Sequence, residues 1–286
     1  MLLKLYAQPL MAATKDFIKS HPVPIYFALT FVISWIAILI LAGPEGIPAT
    51  ADQAVVLGMA MLLGPSIASI LLIGFVRGRV GFRELLSRLL KWRVGIRWYG
   101  IALIIAPLST AAVLLVLSLL SPEFTLSILI SDDKAALVLM GIVAGIMVGF
   151  FEELGWTGFA TPRMRQQYGV LVAGLTIGVL WGLWHFLLFW ESDSFSELFP
   201  LALLLARLFS WAPAYRILMV WLYDHTKSLL ITTLMHMSLV ATLVIMEPPL
   251  TGGALLTYIL VRAAVLWGIV AAVILAERRA IRLGWI

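Results

Sequence analysis

The chain has no cysteine, only 12% charged residues and just four histidines in 286 positions. The missing cysteines exclude disulfides, thiolate metal sites and a cysteine nucleophile. The shortage of charge excludes an ordinary soluble domain, which carries about 25% charged residues. Low-complexity tracts and a clear internal repeat are also lacking, and no cleavable signal peptide is expected. The net charge of +5 does not point to nucleic acid, because the basic residues fall in short loops between apolar runs. What is there is apolar: 62% hydrophobic residues and a mean hydropathy of +1.05. The fold class is therefore all-α, a polytopic membrane protein whose partner is the lipid bilayer.

About 20 apolar residues cross a bilayer as a helix. That criterion puts eight spans near 24–42, 54–76, 98–120, 136–160, 170–190, 199–222, 228–246 and 255–276. Breaks fall at Gly43-Pro44-Glu45-Gly46, Ser121-Pro122-Glu123, Glu191-Ser192-Asp193-Ser194 and Glu247-Pro248-Pro249. Gly64-Pro65 reads as a kink in the second span, which membranes tolerate. The first 20 residues, with Lys4, Lys15 and Lys19, read as an amphipathic lead-in on the membrane surface. Residues 1–286 make one integral membrane domain.

Lysines and arginines set the orientation. Arg77, Arg79, Arg83, Arg88, Lys91, Arg93 and Arg97 fall in one loop, which is cytoplasmic on this rule, and so are Arg163, Arg165, Lys227, Arg278, Arg279 and Arg282. The opposite loops carry Glu45, Asp52, Glu123, Asp132, Asp133, Glu191, Asp193, Glu197 and Glu247, with Lys134 as their only base. Both termini are then cytoplasmic, and the cell membrane is the expected location.

Against this background a few polar residues lie in apolar runs: the pair Glu152–Glu153 and the histidines His185 and His236. An ionisable group at mid-bilayer costs roughly 2.5–3.5 kcal/mol or more, so such residues default to function. At a rise of 1.5 Å per residue, Glu152 lies about 16 Å from Arg163, His236 about 13 Å past Lys227 and His185 about 22 Å past Val170. With tilt and side-chain reach the three can share one layer. A carboxylate there can act as general base for a water, and imidazole can share the proton, donate to an oxyanion or ligate a metal. Two histidines and a carboxylate suit a divalent metal such as zinc. The helical HExxH spacing is absent, so the cofactor stays unknown.

Glu152-Glu153-Leu154-Gly155-Trp156-Thr157-Gly158-Phe159-Ala160-Thr161-Pro162-Arg163, then Trp181-Gly182-Leu183-Trp184-His185, then Ser228-Leu229-Leu230 leading to Leu234-Met235-His236, resemble three motifs in order. They are those of the CPBP family of intramembrane proteases, the type II CAAX prenyl endopeptidase and Abi group, over a protease-like core of about 135–246. The resemblance implies a membrane hydrolase that cleaves membrane-associated or lipidated peptide substrates near the cytoplasmic face. It implies Glu152 as the water-activating carboxylate with Glu153 beside it, His185 next to the water, and His236 helping to hold the oxyanion. Two positions depart from the pattern. Thr157 stands where an arginine would face Glu153 one turn on, with Arg163, Arg207 and Arg216 open as substitutes. Val240 stands where the third motif has an asparagine, and Ser238 lies elsewhere on that helix.

Each residue also has a plainer reading. The glutamates suit a helix end at the headgroups, His185 an aromatic belt with Trp181, Trp184 and Trp190, and His236 a bond between packed helices. His225 reads as a cytoplasmic loop residue and His21 as incidental. At the level of the whole chain, the rivals are a non-catalytic interaction or bacteriocin self-immunity protein and a small transporter. If Thr157 leaves Glu153 without a charge partner, Glu153→Gln should cost less than Glu152→Gln. The topology is directly testable. A reporter fused after Ile286 should read cytoplasm and one inserted near Asp193 the outside; an external signal from the C-terminal fusion would end the eight-span arrangement.

Overall fold

The computed structural model describes residues 15–43 and 51–283. Most of the lead-in and the expected break at Pro44–Gly46 lie outside them. The longer helices are α1 (Pro22–Ala42), α2 (Ala51–Met61), α3 (Leu63–Leu89), α4 (Ile96–Ser118), α5 (Lys134–Gly155), α6 (Val170–Trp184), α7 (Leu198–Phe209), α8 (Ala212–Thr226), α9 (Leu229–Met246) and α10 (Gly252–Arg282). No strand occurs among the described residues. Apolar side chains such as Ile36, Ile40, Leu108 and Leu139 cover the outward faces, as a lipid-facing bundle requires. The protein is a polytopic all-α membrane protein.

Among the described residues, seven stretches are long and apolar enough to cross a bilayer, and α6, with 15 residues, is shorter. Expected spans and observed helices correspond in order, with three local differences. The second span is broken at Leu62, ahead of the expected Gly64-Pro65 kink, because Pro65 falls in the first turn of α3, where its missing N–H costs nothing. The fifth is interrupted at His185 and resumes for one turn over Phe186–Phe189, rather than running unbroken to Trp190. There the terminal carbonyl of Trp184 accepts the indole N–H of Trp35 at 3.0 Å, so the helix can end inside the bundle without an orphaned acceptor. The sixth splits into α7 and α8 at Ser210–Trp211, where Pro213 opens α8 and cannot continue a hydrogen-bond ladder from α7.

Loops rich in arginine gather at one end. Lys91 donates to the Thr226 carbonyl at 2.8 Å and Arg165 pairs with Asp224 at 2.7 Å. At the other end, Arg207 pairs with Glu191 at 2.9 Å and Ser127 donates to the Glu247 carbonyl at 2.7 Å.

Two glycine stripes bring the polar helices together. Gly141, Gly145 and Gly149 run down one face of α5 and meet α9. A β-carbon on Gly145 would lie 2.6 Å from the Met237 carbonyl oxygen, and one on Gly141 2.6 Å from Ile245. Gly174 and Gly178 do the same on α6 against α8, and Gly182 meets Leu208 at the end of α7: a β-carbon on Gly178 would lie 2.5 Å from Pro213 Cα. Between lipid-soluble helices there is little hydrophobic drive to associate, so small residues that let backbones touch supply the packing. The first stripe carries Glu152 and Glu153 to His236. The second carries Trp181 to Arg216.

Replacing Gly145 or Gly178 by alanine should therefore lower thermal stability in detergent, by about 1–3 kcal/mol on the usual scale for overpacking. Gly100→Ala, in α4 with open space around its Cα, should be neutral or gain about 0.5–1 kcal/mol from helix propensity. Equal melting temperatures for all three variants would show that the stripes are not what sets the helix spacing.

Candidate active site

Glu152 and Glu153 occupy the last turn of α5, just before Trp156–Ala160 adopts a π turn. The Trp156 carbonyl accepts both the backbone N–H and, at 2.8 Å, the hydroxyl of Thr161, which holds the widened turn. Such π bulges recur at functional sites. Its effect is to keep the Trp156 and Thr157 side chains above the carboxylates one turn back.

The two carboxylates differ in every partner. Glu152 Oε2 accepts the indole N–H of Trp181 at 2.7 Å and of Trp156 at 3.1 Å. Glu153 Oε1 accepts Arg216 Nη1 at 2.9 Å and His236 Nδ1 at 2.8 Å, while Oε2 accepts Arg216 Nη1 at 3.0 Å and the Thr157 hydroxyl. Both glutamates, Arg216 and His236 are buried. The Arg216 guanidinium also stacks over the Trp181 ring at 4.7 Å, a cation–π contact in a dry setting.

Trp181 is the hub. His236 meets its ring edge-on at 5.4 Å, and His185 lies at 5.6 Å with Nδ1 on the Trp181 carbonyl at 2.8 Å. His185 is half-buried, stacked on Phe189 and edge-on to Trp184. The four residues singled out in the sequence thus meet around one indole, on α5, at the end of α6 and on α9.

Arg216 is the cation that faces Glu153. Arg163 instead donates to the Phe159 carbonyl and covers the Phe159 ring, and Arg207 serves Glu191 near the far end. Of the three arginines open as charge partners for Glu153, the structure selects Arg216: it comes from α8, far along the chain, and Thr157 bonds the carboxylate through its hydroxyl. Spacing along α5 could not choose among them, because the pairing runs across the bundle. Trp156 and Trp181 as carboxylate donors were missed too, although both lie within the quoted motifs. His225 sits in the last turn of α8 rather than in a loop, 3.2 Å from Glu277, and His21 lines a cavity at the basic end. Ser238 donates to the Leu103 carbonyl, away from the site.

No group of three or more His, Cys, Asp or Glu side chains able to hold a metal occurs among the described residues. Glu153, bonded to Arg216, Thr157 and His236, is therefore not free to serve as the carboxylate ligand of a zinc centre.

A cavity of about 1140 Å³ opens at the basic end, lined among others by Phe27, Arg88, Arg163, Leu180 and Tyr223. The four site residues are not part of its wall. Phe27, 6.0 Å ring to ring from Trp156, and Leu180, the neighbour of Trp181, stand between them.

The Glu153–Arg216 pair removes the condition under which Glu153→Gln was expected to cost less than Glu152→Gln. Glu153→Gln leaves a guanidinium buried without its counter-charge, and should destabilise the protein by about 3–5 kcal/mol. Glu152→Gln breaks no ion pair and should melt close to wild type. Thermal unfolding of the purified variants in detergent checks this; equal losses would mean that Arg216 does not depend on Glu153.

Residues 134–242 match the family model described as "Type II CAAX prenyl endopeptidase Rce1-like". All four site residues fall within that match. A curated relative, "CAAX prenyl protease 2" of Methanococcus maripaludis, is 25% identical over 181 residues, which cover 60% of this chain and 64% of that protein. The chain thus aligns with somewhat less than two thirds of that relative's length.

Proposed function

We propose, from the match of residues 134–242 to the Rce1-like type II CAAX prenyl endopeptidase model, that the chain is an intramembrane endopeptidase. It hydrolyses peptide bonds of membrane-associated or lipid-modified substrates with a water activated by glutamate and histidine. The observation that carries this reading is the unequal treatment of the two carboxylates. Glu153 is neutralised by Arg216, whereas Glu152 has no cation within ion-pair distance among the described residues and is held only by two indoles.

The hydrogen bonds suggest how the chemistry runs. Each imidazole uses Nδ1 against an acceptor, the Trp181 carbonyl for His185 and the Glu153 carboxylate for His236. In the neutral tautomer this leaves both Nε2 atoms as acceptors. Glu152 Oε1 is a third acceptor, because the indoles occupy Oε2. A water donating its two hydrogens into this set keeps a lone pair for a carbonyl carbon. Glu152 takes one proton as the oxygen attacks and returns it to the departing amine when the C–N bond breaks. Trp156 and Trp181 hold the carboxylate in one orientation and exclude bulk water, which strengthens each of these interactions.

Substrate approaches from the cytoplasmic side through the cavity at the basic end, with both termini of the chain on that side and the chain in the cell membrane. The departures at Thr157 and Val240 favour a non-catalytic role in isolation. The Glu153–Arg216 pair weakens that rival, because the second glutamate has its counter-charge after all.

Glu152→Gln keeps shape and hydrogen bonding but removes the base, so it should lower turnover by about two to four powers of ten. His185→Ala should be comparably severe, and the double variant little worse than either, since both serve one step. Purified protein incubated with a membrane-peptide library, with fragments read by mass spectrometry, makes the comparison. Undiminished cleavage by the Glu152→Gln protein would show that the base is another residue or that the chain is no protease of this kind.

A further inference from the structure

A peptidase of this design needs hydrogen-bond donors where negative charge develops on the carbonyl oxygen, and nearly every donor around the carboxylates is already engaged. The Trp156 and Trp181 indoles face Glu152, and the Thr157 hydroxyl and Arg216 Nη1 face Glu153. His185 and His236 donate through Nδ1 and present Nε2 as acceptors. Val240, one turn past His236, has no polar group, and Ser238 is turned toward Leu103. The Tyr26 hydroxyl, which also lacks a bond of normal geometry, faces Thr30. What remains is Arg216. Its Nε and Nη2 are fully buried and have no hydrogen-bond partner, although a guanidinium charge in a dry interior calls for acceptors on all its N–H groups. The same guanidinium lies over the Trp181 ring, 4.7 Å from its centroid, and that ring's indole N–H holds Glu152, so Arg216 and Glu152 share one aromatic neighbour.

We propose that Arg216 is the oxyanion donor of this chain. Nη1 keeps its hold on Glu153, while Nε and Nη2 receive the carbonyl oxygen of the scissile peptide. This inference rests on the reading of the chain as a peptidase. As the water oxygen bonds to the carbonyl carbon, the C=O π pair moves to the oxygen facing Arg216 and the water proton goes to Glu152. On collapse the C=O bond re-forms, the C–N bond breaks and the amine nitrogen takes the proton from Glu152. Fork-like donors fixed by a second carboxylate and an aromatic face suit this role, because they need no reorganisation as charge appears. Arg216 would then be a catalytic residue that sequence spacing did not single out.

The test separates this role from mere support of Glu153. In the double variant Thr157→Arg/Arg216→Ala, a guanidinium one turn from Glu153 on α5 can re-form the ion pair, but none is left on α8. The expected result is a melting temperature recovered relative to Arg216→Ala, with kcat still about 10²–10³-fold below wild type and KM little changed. Binding of a peptidyl phosphinate, a tetrahedral mimic, should weaken in parallel with kcat, while binding of the uncleaved peptide stays constant. Recovery of kcat together with stability would overturn the proposal and leave Arg216 as a structural partner. If the double variant does not fold, Arg216→Lys keeps a positive charge toward Glu153 and loses the fork; it should fold and lose at least tenfold in kcat, and wild-type kcat in that variant would equally overturn the proposal. A wild-type protein that cleaves no peptide and binds no phosphinate sinks the peptidase reading itself, and Arg216's role with it.

Discussion

The bundle is organised around one buried ion pair, Glu153 with Arg216, set on the face of Trp181. Neither charge is tolerable alone at this depth: each carries a desolvation penalty of several kcal/mol. Together, with Thr157 and His236 filling the remaining sites on the carboxylate, they become compatible with an apolar interior. The requirement is geometric. Arg216 is on α8, Glu153 on α5, His236 on α9 and Trp181 on α6, so the pair forms only if four helices come together at one level. A buried pair is weak evidence for net stability, because an apolar replacement of the same volume often does as well. What it does specify is which helices must meet, and in what register.

Meeting at that level demands close backbones, and the glycine stripes of α5 and α6 meet that demand. With ordinary side chains at Gly145 and Gly178 the helix axes would move apart and the Glu153–His236 bond, 2.8 Å, would open. At the end of α6 the Trp184 carbonyl is satisfied by Trp35, and the His185 imidazole bonds the Trp181 carbonyl one turn back, beside that ring. Packing, helix termination and site geometry are thus three aspects of one arrangement.

Much of this was legible in the sequence. Apolar runs of about 20 residues announce spans because lipid offers the backbone no alternative partner, and glutamates and histidines inside them stand out for the same energetic reason. Breaks within a span were less legible. Pro65 and Pro213 lie a few residues past the breaks at Leu62 and Ser210, while the one after Trp184 carries no stop signal and depends on Trp35 from a neighbouring helix. Long-range pairing was the least legible of all. Spacing along α5 correctly suggested that an arginine at position 157 would face Glu153, yet it could not say that the cation comes from α8. The stripe Gly174, Gly178, Gly182 was the available hint, since it aligns Trp181 with Arg216, but a repeat of small residues names a contact face without naming its partner.

The two adjacent glutamates end up with divided labour because the helix turns about 100° between them. That rotation points Glu153 across the bundle toward α8 and α9, where a fixed positive charge waits, and points Glu152 toward α6, where only neutral indole N–H groups reach it. Identical side chains are thus set apart by their neighbours: Glu153 is clamped to a guanidinium, while Glu152, held through Oε2 by two indoles, keeps Oε1 free. The cation that pairs with Glu153 also carries two N–H groups without hydrogen-bond partners. If charge does develop on a peptide oxygen here, the unequal treatment of the two carboxylates and the donors that receive that charge both originate in a single side chain on α8.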